Sequence, residues 1–97
     1  MTVSAAIQVL PGVQDTGEVV RIVDEVIHYL KSTGLNCQVG PFETTLEGDD
    51  YDQIMDAIKE CQKIAVRAGC PSVMSYVKIN YSPDGILSID EKTAKHH

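Results

Sequence analysis

Residues 41–50 read PFETTLEGDD, which sets two adjacent hydroxyls, Thr44 and Thr45, between two carboxylates, Glu43 and Glu47. A nitrogen heterocycle such as an aminopyrimidine needs paired donors and acceptors along one edge. Threonine hydroxyls, carboxylates and glutamine amides supply both. A carboxylate beside the ring also favours a fixed positive charge on the ligand. Threonine is a good strand former in its own right, so the same residues also fit a strand with no ligand.

Other chemistries find less support. The acids Glu43, Glu47, Asp49, Asp50 and Asp52 cluster in sequence but match no calcium-loop spacing. Helix capping and the helix dipole account for the three aspartates. His28 falls mid-helix with no His or Cys at ligand spacing. Three cysteines, Cys37, Cys61 and Cys70, form no CxxC pair, and an odd number cannot all pair within one chain. Cys37 and Cys61 fall on core-facing positions. Cys70 follows a helix C-terminus, whose negative dipole end does not favour a thiolate nucleophile. Reduced thiols in a cytoplasm are the simplest reading. A serine elbow, a phosphate loop and a dinucleotide fingerprint are all missing from the sequence, so an enzyme reading gains no positive support.

The chain has 97 residues, 43% of them hydrophobic and 23% charged, which fits one globular domain over 1–97. Eight basic against fourteen acidic residues give a formal charge of −6. Nucleic acids and anionic lipids are first engaged through clustered cations, so neither is expected as a partner. The charge suits a cationic small molecule, or serves solubility alone. No apolar run approaches the roughly 20 residues of a membrane span. The start MTVSAAIQVLPGVQD lacks the basic stretch of a secretory signal.

The elements that must position the Thr-Thr segment follow from periodicity. Residues 4–10 alternate as a strand that Pro11-Gly12 ends. Residues 17–33 form a helix with Val19, Ile22, Val23, Val26, Ile27 and Leu30 on one stripe, Asp15 as its cap and Glu18 as capping-box partner. Gly34 suits the left-handed residue after it. Residues 35–40 and 42–47 make two short strands, close enough for a hairpin. A second helix spans about 50–68 with Asp49 as N-cap, and residues 72–81 form the fourth strand. Ser88 and Glu91 have capping-box spacing, which favours a short C-terminal helix from about 88; an edge strand at 86–89 is the rival. His96-His97 read as the start of a purification tag.

The order is βαββαβ. Right-handed crossovers place both helices on one face of a four-stranded antiparallel sheet, an α+β ferredoxin-like sandwich with strand order 4-1-3-2. Two helices cover one face. The other then carries Ser4, Ala6, Gln8, Asn36, Gln38, Met74, Tyr76, Lys78 and Asn80. The third strand adds either Glu43, Thr45 and Glu47 or Phe42, Thr44 and Leu46. Burial of Phe42 and Leu46 favours the first set outward. Such a mixed face either stays solvated or joins identical chains sheet to sheet, with polar groups lining small cavities between them.

GPFETTLEGDDYDQIMDAIKECQ, with IQVLPG near the start and SYVKINY near the end, resembles the YkoF-like thiamine-binding protein family over nearly the whole chain. The resemblance implies a ferredoxin-like fold that dimerises through its sheets, often into dimers of dimers. It implies binding of thiamine or its hydroxymethylpyrimidine half near the subunit interface, with no catalysis and no resident cofactor. Thr44, Thr45 and Glu47 carry over from the motif. Gln8, Glu43, Tyr76 and Lys78 join them from the outer-face argument. Gln8, Thr44 and Thr45 are expected to hydrogen-bond the ligand, the glutamates to pair with its charge, and Tyr76 to contact its ring. Lys78 is expected to pair with a glutamate on the sheet. The alternative is a self-association or protein-interaction module that takes no small molecule.

Overall fold

The computed structural model describes residues 1–96; of the proposed tag remnant, His97 lies outside them. The elements run β1 (Val3–Pro11), α1 (Thr16–Ser32), β2 (Asn36–Val39), β3 (Thr44–Gly48), α2 (Tyr51–Arg67), β4 (Val73–Tyr81) and α3 (Ile89–Thr93). The sheet order is β2-β3-β1-β4, with every neighbour antiparallel. This is the ferredoxin-like order expected from the pattern.

Burial follows the apolar stripes. Ile22, Val26 and Leu30 of α1 meet Ile54, Ile58 and Cys61 of α2 above Val3, Ala5 and Ile7 of β1 and Leu46 of β3. A full burial contributes about 1.5–3 kcal/mol for each large aliphatic side chain. Arg21 ties the two helices at one end. It pairs with Glu18 on its own helix (2.7 Å), and the same Nη2 donates to the Ala68 carbonyl at the end of α2 (2.6 Å). Glu18 is thereby taken from the capping box expected of it. Asp15 caps α1 alone, accepting from the Gly17 N–H at 2.8 Å.

Three further expectations need correction. Asp50, not Asp49, caps α2: its carboxylate accepts from the N–H groups of Asp52 (2.9 Å) and Gln53 (3.3 Å). Strand β3 extends to Gly48, and the Asp49 carbonyl accepts instead from the Thr2 hydroxyl. Phe42 is not buried but 78% exposed, because β3 begins only at Thr44. Residues 40–43 close a tight loop in which the Gly40 N–H donates to the Glu43 carbonyl (2.9 Å), leaving Phe42 at its tip. A Cβ on Gly40 would lie 2.8 Å from that carbonyl oxygen, so glycine is required there.

Finally, the outer sheet face is not wholly bare. The Ser88/Glu91 capping box forms, and the short helix α3 lies across one end of that face. The rival strand at 86–89 is absent.

Candidate functional site

The register lays the outer face out in rows across the sheet. Asn36, Glu47, Ser4 and Asn80 form one row; Gln38, Thr45, Ala6 and Lys78 form the next; Gln8 and Tyr76 follow, and then Leu10 and Met74. The third strand therefore turns Thr45 and Glu47 outward and Leu46 inward, as burial of Leu46 demands. Residues adjacent in a strand point to opposite faces. Thr44 accordingly lies on the helix side, opposite Ile7 and 94% buried, and does not share a surface with Thr45.

Glu43 stands in the loop just before β3, yet its carboxylate reaches Lys78 on β4, with Oε1–Nζ at 2.9 Å. The pair bridges over β1, where Ala6 is small enough to leave the space. Both partners are partly exposed, so the pair adds at most about 1 kcal/mol of stability. Its effect is to place a carboxylate beside Thr45.

Glu47 is committed elsewhere. It is nearly fully buried, and both carboxylate oxygens are taken: Oε1 accepts from the Asn36 amide and Oε2 from the Ile89 N–H, each at 2.6 Å. The second bond fastens the first residue of α3 to the sheet. Among the described residues, no buried side-chain nitrogen or oxygen lacks a partner.

With α3 pinned there, a cavity of about 390 Å³ opens between it and the β2–β3 hairpin. Gln38, Glu43 and Thr45 give it polar groups, Pro41, Phe42 and Ile89 an apolar wall, and Lys92 and Thr93 reach it from α3. Gln38 and Thr45 are direct cross-strand partners, so an amide and a hydroxyl stand side by side on its floor. A shallower crevice of about 240 Å³ continues past Thr45 and Lys92 to Ser4, Lys78 and Asn80. The main cavity is of ligand size. Gln38 offers donor and acceptor, Thr45 both, and Glu43 a negative charge. That set matches one edge of an aminopyrimidine next to a cation, with the Phe42 ring available for its face.

Of the residues expected at a site, Glu43 and Thr45 line this cavity and Lys78 the adjoining crevice. Gln8 and Thr44 line a small crevice of about 100 Å³ that runs under the Phe42 loop toward α1. Tyr76 is exposed on the outer face next to Gln8, and Glu47 supports α3 from below. Seven lining residues were not anticipated as site residues, among them Gln38, Phe42, Ile89, Lys92 and Thr93. Gln38 was already on the outward face and opposite Thr45, a signal that could have found it. The α3 residues depend on where that helix docks, which alternation along strands does not encode.

Burial pushes the Cys61 thiol up to about 12, and burial likewise raises Cys37. Among the described residues, no group of three or more His, Cys, Asp or Glu side chains could hold a metal ion. No helix there is long and apolar enough to cross a membrane.

The pattern of thiamine-binding proteins matches residues 5–97. The chain belongs to the thiamine-binding protein family. A UPF0045 protein of Clostridium perfringens is 40% identical over 95 residues, covering 98% of this chain and 97% of that one. Among solved structures, a DUF77 domain from Bacillus cereus superposes with a TM-score of 0.89 at 35% identity, over 100% of this chain and 91% of the other. A candidate thiamine biosynthesis/salvage protein from Thermotoga maritima superposes with a TM-score of 0.87 at 32% identity, over 100% of both chains. The neighbours share the ferredoxin-like fold. Membership in the thiamine-binding protein family agrees with a cavity whose polar groups suit one heterocyclic edge.

Proposed function

We propose that this protein binds thiamine or its hydroxymethylpyrimidine half, without catalysing a reaction, in the cavity between the β2–β3 hairpin and α3. The observation that carries the reading is the grouping of Gln38, Thr45 and Glu43 in a ligand-sized cavity with the Phe42 ring at its wall. Family membership and the Thermotoga maritima neighbour support the choice of ligand. Gln38 and Thr45 hydrogen-bond the pyrimidine edge. Glu43 pairs with the positive charge, and Lys78 holds Glu43 in place. Gln8 and Tyr76 extend the polar and aromatic surface beyond the cavity, Thr44 supports the strand from the core side, and Glu47 holds α3. The vitamin is cargo, and no resident cofactor is needed. The protein acts in the cytoplasm as a homo-oligomer that uses the part of the sheet face left open by α3.

The test is a melting series with thiamine, thiamine phosphates and hydroxymethylpyrimidine. A ligand at about 100 times its Kd stabilises by about 2.7 kcal/mol. A clear rise in Tm with thiamine or hydroxymethylpyrimidine is the expected result. No rise with any of them removes the ligand and favours the second reading, a protein-interaction module. The exposed Met74 and Tyr76 on the outer face are what supports that alternative.

A further inference from the structure

The crevice that continues from the candidate cavity differs from it in charge. The cavity has Glu43 in its wall, whereas the crevice of about 240 Å³ beside it is lined by Lys78 and Lys92, and among the described residues no carboxylate lines it. The chain has eight basic residues against fourteen acidic ones. Two lysines on one small surface run against that balance. They also come from different elements, Lys78 from β4 and Lys92 from α3. Two hydroxyls and an amide, from Ser4, Thr45 and Asn80, complete the polar lining.

These groups keep hydrogens to donate. Lys78 Nζ gives one hydrogen bond to Glu43, and an ammonium has further N–H groups. Lys92 forms no ion pair among the described residues; its Nζ lies 3.5 Å from the Ser4 hydroxyl. Ser4 accepts there, so its own proton is left to donate. Its buried position fixes that hydroxyl, and Asn80 stands opposite it in the register. The neighbouring carboxylates are already answered. Glu43 faces Lys78, and buried Glu47 spends both oxygens on Asn36 and the Ile89 N–H. The crevice thus presents donors and positive charge, the chemistry that holds a phosphate group.

We propose that this crevice is a phosphate subsite, so that the ligand seated in the cavity is a phosphate monoester of the cationic heterocycle. The inference rests on the proposed reading of the cavity and extends it. The pyrimidine edge lies at Gln38 and Thr45, on β2 and β3. Lys78 lies two strands beyond Thr45 across the sheet, about 10 Å at the usual strand spacing. A phosphate joined to the heterocycle through a spacer covers that distance, as in thiamine monophosphate, with the ring cation beside Glu43. The cation alone leaves Lys92 without a counter-charge. The ester supplies one, and both lysines then pair with it in charge-assisted hydrogen bonds. Lys92 lines cavity and crevice alike, so α3 takes part in reading both halves of the ligand.

Isothermal titration calorimetry of the full chain with thiamine, thiamine monophosphate and inorganic phosphate tests the subsite. Thiamine monophosphate should bind about tenfold more tightly than thiamine. That preference should shrink as salt is raised, because both lysines are exposed. Lys92→Gln should bring the two affinities together, and Lys92→Arg should keep the preference. Lys92 is exposed on α3, so neither substitution disturbs the core. Inorganic phosphate alone should bind far more weakly than the ester. Thiamine binding with no gain from the phosphate overturns the subsite and leaves the reading of the cavity standing. Absence of binding by thiamine and its ester overturns both. A preference that survives Lys92→Gln, or inorganic phosphate binding as tightly as the ester, also overturns the subsite.

Discussion

Thr44 and Thr45 show how one strand position decides between stability and binding. Both hydroxyls stand in the segment with the most ligand-like chemistry, but the pleat sends them to opposite faces. Thr45→Val should weaken vitamin binding by about 1 kcal/mol or more and leave the melting temperature of the free protein nearly unchanged. Thr44→Val should do the reverse. Calorimetric titration and melting of both variants separate the roles, and equal losses of binding would contradict the assignment. The cysteines make a second residue-scale case. With the Cys61 thiol pushed up to about 12 by burial, alkylation of the folded protein at neutral pH should mark Cys37 first. Cys61 and Cys70 should react only on unfolding. Peptide mapping after brief labelling checks this, and early labelling of Cys61 would contradict the packing described. Residue chemistry was legible in the sequence wherever strand alternation fixed a direction. It failed at Phe42, because loop closure at Gly40 outweighed the burial that an extended third strand would have given that ring.

At the scale of elements, α3 is the part that turns a sheet face into a cavity. It is a five-residue helix, too short to persist alone, and its position depends on the Ser88/Glu91 capping box and on the Glu47 bond to the Ile89 N–H. Glu47→Ala would leave that buried N–H unpaired, at a cost of about 1–3 kcal/mol, and should weaken ligand binding by releasing α3. The capping box also has a pH signature. The Ser88 N–H bonded to its carboxylate holds Glu91 below the ordinary 4.5. A depressed carboxyl contributes stability above its unfolded value, and that contribution is lost as pH falls through the folded value. An NMR titration should therefore show a Glu91 midpoint below 4.5, with α3 signals losing dispersion through it. A midpoint at or above 4.5 would contradict the capping box as an anchor of α3. The helix itself was legible from Ser88-x-x-Glu91. Its docking was not, since the signal that places it is a buried carboxylate forty-two residues earlier in the chain.

For the whole molecule, the pattern of apolar stripes and short connections was sufficient for the fold and strand order. The reason is that two amphipathic helices can cover one side of a four-stranded sheet, and right-handed crossovers leave one arrangement. What the pattern did not convey is how unequally the remaining surface is exposed: α3 protects one end of the outer face, while β4 keeps apolar groups uncovered on both of its sides. The cavity at the α3 end is where the proposed ligand sits. The central claim, a vitamin seated between the hairpin and α3, is tested most directly by following backbone amide signals while thiamine or hydroxymethylpyrimidine is added. Saturable shifts should centre on Gln38, Phe42, Thr45 and Thr93. Shifts confined to the crevice between the two long helices, at Tyr29, Thr33 and Gln53, or no shifts at saturating ligand, would contradict it.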